Sequence, residues 1–112
     1  MKKVISLVTF CTALISNVTF SAQGYLVKGA KITTVSSTSN IVDAFWVYYE
    51  GGQSDKCNGR VKFIATNAGT AGVFERSFSL AMSALVANKD VEIYSYTDNT
   101  NCHSAVSINM KR

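Results

Sequence analysis

Proline is absent from the 112 residues, histidine occurs once, and there are only three cysteines. With no proline, no internal repeat and no break in composition, nothing marks a linker, and a single folding unit is expected. The lone histidine, His103, would have to carry a His-dependent triad or a multi-histidine metal site by itself. It stands in a polar stretch beside Cys102 and reads as a solvated loop residue. No Gly-x-Ser-x-Gly elbow, phosphate loop, dinucleotide fingerprint or calcium loop is present. The seven acidic residues, from Asp43 to Asp98, are scattered, with no pair placed as paired-carboxylate hydrolysis requires. These absences argue against an enzyme and imply neither metal nor cofactor.

Long apolar runs are also missing, apart from one near the start. Lys2 and Lys3 precede a mostly apolar stretch over residues 4–15, too short to anchor in a bilayer, and small residues follow it. This is the build of a cleavable secretory signal peptide over residues 1–22, leaving a domain over 23–112. Cleavage after Ala22 puts Phe20 at an atypical position, and cleavage after Ser21 is the alternative; Gln23 is the preferred first mature residue. A short buried N-terminal segment is the competing reading. No lipobox precedes Cys11, so no membrane anchor is expected after cleavage, and the location is the periplasm or the extracellular space.

Export alters the charge. The chain carries +4, but losing Lys2 and Lys3 from eleven basic residues leaves nine against seven acidic ones, or +2. They form no basic run, so nucleic acid is not an expected partner. Cys11 leaves with the signal, and Cys57 and Cys102 remain as an even pair in an oxidising compartment. Bridging them closes a loop of about 46 residues, a contribution of about 4 kcal/mol in the chain-entropy model. That is a large share of the roughly 5–15 kcal/mol by which small domains are stable.

Periodicity supplies the elements. Residues 25–35 read as a strand, with Leu26, Ala30 and Ile32 on one side and Val27 and Val35 on the other. A polar connection over 36–40 leads to a second strand, 41–50, dense in β-branched and aromatic residues. After a Gly-Gly turn, residues 60–66 alternate, with Val61, Phe63 and Ala65 inward and Arg60, Lys62 and Thr66 outward. A Gly-rich loop over 67–72 precedes a helix with Ser77 as N-cap, the apolar stripe Phe78, Ala81, Met82, Leu85, and Asn88 as left-handed C-cap. Strands over 91–96 and 104–110 finish the chain, the last with Val106, Ile108 and Met110 inward. The fold class is therefore mainly β with one helix, in the order β-β-β-α-β-β of a small five-stranded OB-like Greek-key barrel with one disulfide. The cysteines precede the third and fifth strands, which run as parallel neighbours in such a barrel, so a bridge there is natural.

Ser77-Phe78-Ser79, Ala81 to Leu85, Val91-Glu92-Ile93-Tyr94-Ser95-Tyr96, Cys102 and Ile108 together resemble a group of small uncharacterised secreted proteins of Gram-negative bacteria. More distantly, this part of the chain is similar to the OB-fold B subunits of subtilase- and pertussis-type toxins. That resemblance implies an exported bacterial domain, assembly into oligomers and binding of glycans. The chain lacks the long Trp/Pro-containing segment those subunits carry after the equivalent of 91–96, and no sugar-contacting residue is carried over.

Phe45-Trp46-Val47-Tyr48-Tyr49 is the unusual feature. If Phe45 and Val47 fill the core, Trp46 and Tyr48 stand outside near Lys62 or Arg60. The opposite parity would place Ala44, Trp46 and Tyr48 inside. Trp46, Tyr48, Arg60 and Lys62 are accordingly the candidate ligand or interface residues. The functional expectation is a non-enzymatic binding module for a glycan or another surface ligand; the alternative is a periplasmic inhibitor or accessory protein that uses this strand as its interface.

Overall fold

A computed structural model describes residues 22–37, 40 and 42–112. The expected signal segment, apart from Ala22, lies outside the described residues, as does Ile41 of the expected second strand. The elements are β1 (Gly24–Ser36), β2 (Ala44–Gln53), β3 (Arg60–Ile64), a 3-10 turn (Ala65–Asn67), α1 (Ala71–Ala87), β4 (Asp90–Ser95) and β5 (Ser107–Lys111). The strands form one five-stranded antiparallel sheet in the order β3-β2-β1-β4-β5. One isolated parallel bridge, between Phe63 and Ala105, links its two ends. The fold is thus mainly β with one helix, and the Cys57–Cys102 disulfide is present, its Cα atoms 5.6 Å apart.

The core lies between the inner sheet face and the helix. Leu26, Val47, Val61, Val91 and Ile93 are wholly buried. Phe45 and Phe63 stack at 4.7 Å, and Phe74 and Phe78 of the helix lie 5.3 and 5.1 Å from Phe45. Deleting a buried ring of this kind costs about 3–5 kcal/mol. In β1 strict alternation fails: Leu26 and Val27 are both buried, not on opposite faces. The register slips between Tyr25 and Val27 and again between Lys28 and Ala30. Gly29, at φ +71°, sits within the second slip. A bulge of this kind lets consecutive side chains turn to the same face.

The helix begins earlier than its apolar stripe suggests. Thr70, not Ser77, is the N-cap, and its side chain accepts a hydrogen bond from the Val73 N–H. Ser77 instead lies on the buried line with Ala81 and Ala84, its hydroxyl donating to the Val106 carbonyl at 2.6 Å. Small residues occupy that line because the helix comes this close to the sheet edge, and the bulky residues are displaced to its flanks. Phe78 and Met82 are therefore 37% and 38% exposed. Asn88 closes the helix as expected, at φ 56° and ψ 46°. The third strand ends at Ile64, where Ala65 enters the 3-10 turn. Met110 is 39% exposed rather than inward, since it lies near the outer end of the sheet's last strand.

Candidate functional site

The parity of β2 is the first determinant of the site. Phe45, Val47 and Tyr49 are buried, so Trp46 and Tyr48 point outward and are half-buried. Pairing with β3 then sets Trp46 opposite Lys62 and Tyr48 opposite Arg60. The Arg60 guanidinium lies 5.1 Å from the centre of the Trp46 ring and the Lys62 ammonium 5.4 Å from it. Cation–π contacts at exposed positions contribute about 0.5–1 kcal/mol each. The Tyr48 ring lies 6.5 Å from Trp46. All four residues singled out from the sequence therefore converge on one surface patch.

The structure adds His103, whose ring meets Trp46 edge-on at 5.3 Å and 87°. His103 is exposed and in a loop, as its surroundings in the sequence suggest, but tertiary links bring it to this patch. The disulfide ties Cys102 to Cys57, and the Lys62 N–H donates to the Cys102 carbonyl at 2.8 Å. Asn67 donates to the His103 carbonyl, and the His103 N–H donates to the Asn101 side chain. The clue available in the sequence was the adjacency of His103 to a cysteine whose partner lies three residues before Arg60.

Two loops support the patch. Between β2 and β3, the buried Tyr49 hydroxyl donates to Asp55 at 2.6 Å, and the same carboxylate accepts the Cys57 N–H at 2.9 Å. Burial, reinforced by the bond to Asp55, pushes the Tyr49 phenol well above its usual range. Gly59, at φ +90°, enters β3 where an added Cβ would stand 3.1 Å from the Tyr49 carbonyl. After β4, the buried hydroxyls of Ser95 and Ser104 lie 2.8 Å apart, and Ser95 accepts the Asp98 N–H. The Thr100 hydroxyl and N–H donate to the Asp98 carboxylate and hold its pKa below the usual range.

Among the described residues neither Arg60 nor Lys62 forms an ion pair. The patch is thus an aromatic surface edged by two unpaired cations and an imidazole. It can stack against a flat ligand face and donate hydrogen bonds around its rim. Among the described residues no group of three His, Cys, Asp or Glu is placed to hold a metal ion. No curated protein and no solved structure matches the chain. A family model does match, over residues 4–112, and the chain belongs to that family, a family of unknown function (DUF5992).

Proposed function

We propose that residues 23–112 form an exported, non-enzymatic binding domain that takes a glycan on the Trp46 face. The observation that carries this reading is the outward Trp46 ring with Arg60 and Lys62 beside it and His103 at its edge. A sugar presents a flat C–H face for stacking and a rim of hydroxyls for donors and acceptors, and this patch offers complements to both. The OB assignment is part of the proposal. The strand order and the parallel Phe63–Ala105 bridge agree with that Greek-key connectivity. OB domains bind oligosaccharides and oligonucleotides on strands 2 and 3 and the adjoining loops, including the loop between strands 4 and 5. Trp46, Arg60 and Lys62 lie on β2 and β3, and His103 lies between β4 and β5. Export to the periplasm or beyond rests on the signal-like residues 1–22 and on the disulfide. Assembly into oligomers rests on the resemblance to toxin B subunits.

The test is a glycan array together with native mass spectrometry on protein beginning at Gln23, with Trp46→Ala in parallel. Wild-type protein should bind a defined set of glycans, and Trp46→Ala should lose them while its melt changes little. No glycan signal for the wild type sinks the reading. A loss of stability of about 3–5 kcal/mol in Trp46→Ala would make Trp46 a packing residue. A second reading, a protein interface, is favoured by the grouping of Trp46, Tyr48 and Arg60, since Trp, Tyr and Arg dominate interface hot spots. Assembly that depends on Trp46, in the absence of any glycan signal, would select it.

A further inference from the structure

Among the described residues β5 is hydrogen-bonded to a strand on one side only, where it pairs with β4. The parallel bridge at Ala105 ends before β5 begins. β3 stops at Ile64 and the chain turns away into the 3-10 turn, while β5 runs on to Lys111. Between the unpaired side of β5, the turn around Ala68 and the first half of α1 lies a groove of about 580 Å³. Val73 and Leu80 of the helix and Val106 and Ile108 of the β5 segment give it apolar walls, and Tyr96 stands at its margin. Among the described residues Arg76 is the only charged one lining it, and it has no carboxylate partner there. The guanidinium lies over Gly72, where an added Cβ would come within 3.1 Å of it.

We propose that this groove binds an extended peptide segment that bears a carboxylate. The segment would add a strand to β5, place alternate side chains against Val73, Leu80 and Ile108, and set its carboxylate on Arg76. The backbone chemistry favours a peptide, because an unpaired strand edge presents alternating N–H and C=O groups that another main chain satisfies. The charge selects among peptides: one cation on an otherwise neutral wall pairs with one carboxylate through charge-assisted hydrogen bonds. At about 3.3 Å per residue, the five residues of β5 accommodate a four- or five-residue partner. This site is separate from the Trp46 patch and does not depend on glycan binding.

The probe is an acetylated Val-Thr-Val-Thr-Val peptide with a free C-terminal carboxylate, titrated into nitrogen-15-labelled protein that begins at Gln23. Two companions carry a C-terminal amide or N-methyl groups on alternate residues. Amide shifts should centre on residues 73–80 and 106–111. The C-terminal amide should bind about tenfold more weakly than the carboxylate, the loss expected for one charged hydrogen bond. Arg76→Gln should lower the affinity of the carboxylate peptide to that of the amide and leave the amide peptide unchanged, which isolates the pairing. N-methylation should abolish binding. Absence of shifts at about 1 mM peptide overturns the proposal. Equal binding by the N-methylated peptide, or shifts centred on Trp46, also overturns it.

Discussion

Trp46 on β2 and Tyr94 on β4 occupy equivalent situations on the sheet: outward positions, half-buried, within ring contact of other aromatics. Tyr94 meets Tyr25 edge-on at 5.0 Å and Tyr96 at 4.9 Å, and the Lys28 ammonium lies 4.7 Å from the Tyr25 ring. Composition alone would rank the two patches alike. Their charges separate them in part, although Lys28, like Arg60 and Lys62, forms no ion pair among the described residues. On the outward side of β4, Asp90 is paired with Lys31, and Glu92 with Lys111 at 3.2 Å. Around Trp46 the cations Arg60 and Lys62 have no such partner among the described residues. A patch whose charges are paired within the molecule gains little by meeting a polar ligand, because those pairs would have to be broken or desolvated. Unpaired cations at the rim of an aromatic face gain interactions when a ligand arrives. The difference favours the Trp46 side, where two such cations stand over one ring, as the proposed binding surface.

The largest test of that contrast is the disulfide, which tethers His103 to one patch only. Replacing Cys57 and Cys102 with Ser should lower stability by about 2–5 kcal/mol. In the variant that still folds, the Trp46 indole signal should move in two-dimensional NMR while the Tyr94 ring signals stay near their wild-type positions. Equal movement at both patches would break the comparison. A smaller effect comes from Tyr94→Ala, which removes two ring contacts and should cost about 1–3 kcal/mol by thermal melt. Its glycan array should match the wild type, the reverse of Trp46→Ala. Loss of glycan binding in Tyr94→Ala would place the tyrosines in the site.

The smallest effect is a pH dependence. Because the folded state raises the Tyr49 pKa, its contribution to stability is fully present below the ordinary tyrosine value near 10. It is lost as pH rises toward the folded value. Chemical denaturation from pH 8 to 11 should therefore show stability falling above about pH 10, and Tyr49→Phe should flatten that decline. Tyr49 holds Asp55 in the loop that leads into β3, so alkaline amide exchange should rise first around Cys57 on the Trp46 side. A decline unchanged in Tyr49→Phe would assign the effect to another group.

Much of the architecture was legible because it is written in short-range patterns. Alternation marked the cores of β3 and β4, the density of β-branched and aromatic residues marked β2, and Asn88 marked the end of α1. The helix start was hidden by Gly69 and Gly72, which read as loop although Thr70 supplies the cap. The inward face of α1 was misread by about a quarter turn. Hydropathy selects large residues such as Phe78 and Met82, whereas the close approach of helix to sheet selects Ser77, Ala81 and Ala84.

The site divides in the same way. Residue chemistry by itself singled out Trp46, Tyr48, Arg60 and Lys62 as candidates, and Cys57 and Cys102 as the pair of cysteines that follows the signal-like stretch. It also determined the order of the elements, since alternation and helical spacing are properties of neighbouring residues. The tertiary structure alone decided which way β2 faces, because alternation is symmetric until one side meets a core. It alone brought His103 to Trp46 through Cys102, and, among the described residues, left Arg60 and Lys62 without ion pairs while Lys31 and Lys111 found carboxylates on β4. Those outcomes depend on residues tens of positions apart coming within a few ångströms, and no local pattern encodes that distance.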